Sequence, residues 1–187
     1  MSAAAHIDPS NKKIALLIAV LALVLAFSET LGKSAQTAAL NLNTEASNLW
    51  AFFQAKTIRL TTVRTAAEMF EIEAPGQPIP QVREAMEKKA ADWKKTAARY
   101  DSEPETQEGR KELATRAKAA EKVRDRSLAA YHHFETASGA LQIAIVLASA
   151  AIVTSTMVLA WIAVGLGVVG MVFCGIAFFA PLSVHLF

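Results

Sequence analysis

From Thr136 to Phe187 the chain runs for 52 residues without an Asp, Glu, Lys or Arg. Such a block cannot be solvated as the surface of a soluble domain, and it is about twice the ~20 apolar residues that one membrane helix needs. Of the 36 charged side chains, 32 lie between Lys33 and Glu135. A second apolar run, Ile14 to Phe27, precedes them. The pattern predicts an integral membrane protein whose polar region is held between two membrane regions.

The 187 residues allow one modest domain plus a membrane anchor. Basic and acidic residues alternate through the middle, leaving no single-sign field for nucleic acid, which is not expected as a partner. Strand signals are absent, and Ala, Glu, Lys, Arg and Gln dominate the polar part, so the expected fold is all-α. Cys174 stands alone and says nothing about redox compartment. Lys12 and Lys13 before the first apolar run, with Val24-Leu25-Ala26 after it, have the outline of a signal peptide. The helical pattern passes through Ala26 without a break, and an uncleaved anchor is the expectation.

After a tail at 1–13, the first span is assigned to 14–32. Ile14 to Phe27 is too short alone, so the segment must run on through Ser28, Glu29 and Thr30. A carboxylate at such a depth is a candidate polar membrane site. Lys33, four residues on, offers Glu29 a helical ion pair at the headgroup level instead. The C-terminal block divides at its one polar cluster, Thr154-Ser155-Thr156, into spans at 137–153 and 157–180. Pro181, which cannot continue a helix, opens the tail at 181–187.

Each span carries small residues at steps of three and four, on one face. These are Ala15, Ala19, Ala22 and Ala26 in the first; Ala140, Ala144, Ala148, Ala151 and Ser155 in the second; and Ala160, Ala163, Gly167, Gly170, Cys174 and Ala177 in the third. Close backbone approach at small residues drives helix packing in lipid. Ala144, Ala148, Gly167 and Gly170 are therefore candidate packing or oligomer contacts. Gly165, Gly167 and Gly170 also spell GxGxxG, but without the preceding strand and open turn that dinucleotide binding requires.

The polar region, 33–136, is expected to be a long antiparallel, coiled-coil-like helical hairpin. Its first arm has apolar residues at 3,4 spacing: Ala35, Ala39, Leu42, Ala46, Leu49, Phe53, Leu60, Val63, Ala67 and Phe70, with Lys56 as the charged member. From Lys33 to Glu73 this arm rises roughly 60 Å. The prolines at 75–80 mark the tip. Val82, Met86, Trp93, Ala97 and Tyr100 begin the return, a break follows near 101–110, and Ser102 with Glu105 matches a capping box for the next helix. That helix shows Leu113, Ala117, Ala120, Ser127, Tyr131, Phe134, Ser138 and Leu141, with Arg124 as its charged exception.

Lys12 and Lys13 argue for an N-terminus inside, and so for a hairpin on the far side of the membrane. Lys33, Lys118, Lys122, Arg124 and Arg126 flank the spans on the hairpin side and outnumber them, which tilts the expectation to a cytoplasmic hairpin.

The stretches SETLGKSAQTAALNLNTEASNLWAFFQAKTIR, ELATRAKAAEKVRDRSL and ALQIAIVLASAAIVT, with the proline-containing tip between the first two, resemble a family of bacterial membrane proteins of unknown function. The likeness covers nearly the whole chain. It implies a bacterial inner membrane and supplies no activity.

Trp50, Phe53, Gln54 and Lys56 form the most unusual polar-aromatic cluster and are read as packing or register residues, a partner-binding face being the sharper alternative. His132 and His133 point about 100° apart on a helix and cannot chelate as an i, i+4 pair can; no metal or cofactor is expected. No nucleophile with a base and no phosphate loop is present, so an enzyme is not expected. The leading function is a self-associating membrane scaffold or structural protein, with lipid and further copies of itself as partners. An accessory subunit docking another membrane protein, or a small oligomeric pore with Glu29 near its mouth, are the alternatives.

Overall fold

A computed structural model describes residues 9–184. Residues 1–8 of the expected N-terminal tail and 185–187 of the C-terminal tail lie outside the described residues. Among the described residues every regular element is helical: α1 (Pro9–Glu73), a 3-10 turn at Ala74–Gly76, α2 (Pro80–Asp101), α3 (Arg110–Thr154) and α4 (Met157–Phe179). α1 continues for 65 residues because Gly32 is its one glycine and no proline follows Pro9. α1, α3 and α4 are each long and apolar enough to cross a membrane. The chain forms two compact units, residues 1–40 with 123–187, and residues 41–122.

In the first unit Ile14 and Leu21 of α1 meet Leu141, Ala144 and Ala148 of α3 and Ala160 and Ala163 of α4. α4 buries its small face, Ala160, Ala163, Gly167, Gly170 and Ala177. A Cβ on Gly167 would stand 2.6 Å from Leu21 Cδ2, and one on Gly170 would stand 2.7 Å from Leu141 Cγ. Large residues of α1 and α3 therefore sit in hollows that only glycine leaves. Ala144, Ala148, Gly167 and Gly170 serve packing between helices of one chain, and their burial leaves them no surface for a second copy.

Two stripe assignments change. Ala15, Ala19, Ala22 and Ala26 are all exposed. Because α4 already supplies the small surface, α1 turns its larger face inward to fill it, and its alanines point away. Ser155 leaves the second stripe as well: it is exposed at the turn between α3 and α4, with φ 55°.

In the second unit α2 and the first turns of α3 return in sequence along α1. Phe70 packs on Trp93 near the tip, Lys56 lies beside Tyr100, and Trp50 bonds Glu121. Leu49, Leu113 and Ala117 form the core, flanked by Trp50 and Phe53. Exposed charges alternate along α2, and Lys94 pairs with Glu71.

Residues 102–109 form an elbow between α2 and α3. The expected capping box of Ser102 with Glu105 does not form, because α3 starts later, at Arg110. Glu112, in the first turn of α3, takes the role instead. It accepts from Ser102 Oγ at 2.7 Å and from the Glu103 N–H at 3.1 Å. Asp101 pairs with Lys111 at 2.9 Å, and Arg99 with Glu103 at 2.6 Å.

The Ser102 hydroxyl holds the Glu112 carboxyl below its ordinary range. Bonds from Lys111 and Arg99 do the same for Asp101 and Glu103. A depressed folded pKa adds stability that is present above the unfolded value and lost as pH falls through the folded one. Protection of the amides at 102–112, corrected for intrinsic exchange, is thus expected to be flat between about pH 6 and 8 and to fall below about pH 4. Glu112→Gln should remove part of that acid sensitivity. These groups are accessible, so the effect is small; pH-independent protection after correction for intrinsic exchange would refute it.

Candidate functional site

Along α1 no charge intervenes between Lys13 and Glu29, and along α3 none follows Glu135. Both carboxylates line one crevice of the first unit, with a volume of about 460 Å³, between α1 and α3. The crevice thus marks the level at which both helices pass from charged to apolar sequence. Glu29, Lys33 and Gln36, at steps of four and three, form its α1 wall; Tyr131, Glu135 and Gln142 form its α3 wall. Gly32 brings the helices together there, since a Cβ would stand 3.1 Å from Phe134 Cβ.

Two buried hydroxyls lie at the back. Ser28 Oγ donates to the Phe134 carbonyl at 3.0 Å, and Ser138 Oγ donates to Ser28 Oγ at 3.0 Å. Neither proton is directed at a base, so the pair staples α1 to α3 and is not an activated nucleophile. The side-chain amide of Gln142 donates to Glu29 Oε1 at 3.1 Å. The ion pair expected between Glu29 and Lys33 does not form among the described residues. The amide from α3 draws the carboxylate across the crevice, and an exposed pair has little energy with which to resist. Tyr131 donates to Glu135 Oε1 at 3.2 Å, and His132 Nδ1 lies 3.7 Å from Glu135 Oε2. Loss of hydration, with the Glu135 charge second, raises the Tyr131 pKa.

The two adjacent histidines separate as helical geometry requires. His132 faces Glu135, whereas His133 is buried, stacked on Phe173 at 6.0 Å, with Nε2 3.0 Å from the Pro181 carbonyl. A carbonyl can only accept, so Nε2 carries the proton. Nδ1 is buried without a partner. His133 thereby ties α3 to the turn after α4.

In the second unit Lys56 is 6% exposed, 5.3 Å from the ring centroids of both Phe52 and Tyr100, and 3.8 Å from Glu108. It is the charged member of an otherwise apolar seam, held by two aromatic faces and one carboxylate. Arg110 lies 5.3 Å over Phe53. Trp50 Nε1 donates to Glu121 Oε1 at 2.8 Å, and its ring meets Phe53 edge-on. Gln54 is not part of this packing: it is exposed, one turn from Ala51 and Ile58 on the outward face of α1.

Reasoning from sequence singled out Glu29, with Ser28 in the same polar turn, and placed Phe134 and Ser138 on the seam of their helix, but it missed Gln142 and did not bring these residues together. One signal was present: Gln142 is the only Asn or Gln in the 52-residue uncharged block. Among the described residues no group of three or more His, Cys, Asp or Glu side chains is placed to hold a metal ion.

A family model described as a domain of unknown function, DUF4337, matches residues 10–180. No curated protein and no solved structure matches the chain.

Proposed function

We infer that this chain, which belongs to the DUF4337 family, is a multi-pass membrane protein that self-associates as a scaffold and carries no catalytic chemistry. The resemblance noted from sequence favours the bacterial inner membrane as its setting. Three apolar helices support the membrane assignment. The observation that carries self-association is the outward face of α1 in the second unit. Ala51, Ile58, Thr65 and Ile72 follow one another seven residues apart, all exposed, Ile58 at 67% and Ile72 at 79%. Beside them Met69 is 54% exposed, and the Thr61 and Thr62 hydroxyls turn back to carbonyls of their own helix. The face thus presents mostly methyl groups, with Gln54 and one charge, Glu68, among them, where α2 presents charge throughout. Depletion of charge marks the centre of a protein interface, and seven-residue spacing is what a second helix reads.

A closed cyclic assembly is the default outcome for identical copies. Mass measurement in detergent and in nanodiscs is expected to show an oligomer. The double variant Ile58→Lys, Ile72→Lys is expected to reduce it to a single chain with helicity unchanged. A wild-type particle that is strictly monomeric would overturn the scaffold reading and favour docking to a different membrane protein.

A further inference from the structure

The crevice between α1 and α3 has a composition that self-association does not use. Its walls hold two carboxylates, Glu29 and Glu135, and one ammonium, Lys33, so one negative charge is left over. Lys33 makes no ion pair among the described residues, and one oxygen of Glu29 is held by Gln142 while the other is not. Gly139, on the α3 side, has nothing within 4 Å of where its Cβ would stand, so the crevice is open there.

The α1 wall also continues. Ala15, Ala19, Ala22, Ala26, Glu29, Lys33 and Gln36 follow one another at alternating steps of four and three, which places them along one helix face. Beyond the polar crevice the same face of α1 thus continues as a strip of exposed alanines. On α3 the position one turn beyond Gln142 is Val146, 66% exposed. Charged groups of both signs at one end and an exposed strip of small apolar residues at the other match an amphiphile with a zwitterionic head.

We propose that the crevice and the alanine strip of α1 form a binding site for one phospholipid whose head group bears a primary ammonium. Its ammonium meets Glu29 and Glu135, its phosphate meets Lys33, and an acyl chain lies over Ala26 and Ala22. A primary ammonium offers three N–H donors to carboxylates, whereas a trimethylated one offers none. An anionic head group lacking the ammonium brings no cation to either carboxylate. This inference rests on the membrane assignment made above.

The test uses the full chain in nanodiscs of phosphatidylethanolamine, phosphatidylcholine and phosphatidylglycerol in equal parts, moved to detergent for quantification of retained lipid. Phosphatidylethanolamine is expected to be retained over phosphatidylcholine by about tenfold, the scale of one charged hydrogen bond. Glu29→Gln with Glu135→Gln should bring the ratio near one. Gly139→Leu, which fills the opening from a position with free space, should reduce retention of all three lipids while the melting temperature holds. Ala22→Leu should lower retention without changing the particle mass.

Equal retention of the three lipids by the wild type, or a ratio unchanged in the double carboxylate variant, would overturn the proposal. So would competition by soluble glycerophosphoethanolamine, which would show that the head group alone is recognised. A fall in particle mass with Ala22→Leu would assign the alanine strip to a second copy and likewise overturn it. Failure of the wild type to enter nanodiscs would refute the membrane assignment itself, and is read separately from lipid preference.

Discussion

Gly170→Leu is expected to destabilise the first unit by about 3 kcal/mol or more, beyond the usual range for overpacking. At this position a Cβ alone would stand 2.7 Å from Leu141 Cγ and 3.2 Å from the Ala137 carbonyl oxygen. The carbonyl belongs to the backbone of α3 and cannot rotate away, and Leu141 is itself fully buried. Thermal denaturation in detergent, followed by circular dichroism, would measure the loss. Gly167→Ala should cost less than Gly170→Ala, because the atom in its way is the end of the flexible Leu21 side chain. From sequence these glycines are also candidate oligomer contacts, and such a substitution would then change particle mass with little effect on melting. Their burial against helices of the same chain reverses that expectation: melting changes first. A particle that dissociates while its melting temperature holds would contradict the packing described here.

Gly109→Ala is expected to open the elbow at residues 102–109, at a cost of about 3 kcal/mol. A Cβ at Gly109 would meet the Glu103 backbone nitrogen and the Glu112 carboxylate, and would stand 2.7 Å from Ser102 Cα. Two of the three obstacles are backbone. Relief requires moving α2 from the start of α3, which breaks the bonds from Ser102 and Glu103 to Glu112. Hydrogen exchange should show residues 102–112 losing protection while α4 is unchanged. Gly76→Ala is the control, with nothing within 4 Å of its Cβ, and its stability should change by only a few tenths of a kcal/mol. Equal behaviour of the two variants would remove the steric argument.

What was legible in the sequence followed from rules that act along the chain. Uninterrupted helix formers and one proline cluster suffice to make α1 long and to stop it at the tip, because helix propensity and proline geometry are local properties. The uncharged block reads as membrane-compatible because charge is so costly in hydrocarbon. The 3,4 pattern from Ala35 to Phe70 marks residues that are all buried or half-buried. The elbow shows where such rules stop. Ser102 and Glu105 have the spacing of a capping box, but the partner is Glu112, set by where α3 begins after the chain has turned.

The candidate crevice was mostly illegible for a related reason. Glu29 was conspicuous as a carboxylate at the edge of an apolar run. Its neighbours Gln142, Ser138 and Phe134 lie more than 100 residues away, and no periodicity within α1 indicates which of them will face it.

By itself, then, the sequence determined helical structure, three segments apolar enough to cross a membrane, and the residues at which helices must stop. Each follows from backbone geometry or from transfer of side chains between water and apolar surroundings, and neither depends on a neighbour. Only the tertiary structure decided which face of each helix is used. Small stripes on α1 and α4 look equivalent in sequence, yet α4 buries its own against Leu21 and Leu141 while α1 leaves Ala15, Ala19, Ala22 and Ala26 exposed. Close packing requires a large surface opposite a small one, so once α4 supplies the hollows α1 must supply the side chains that fill them. That choice leaves exposed the alanine face, which helix periodicity already aligns with Glu29 and Lys33, and the meeting of α1 with α3 creates the crevice from which the lipid proposal is drawn.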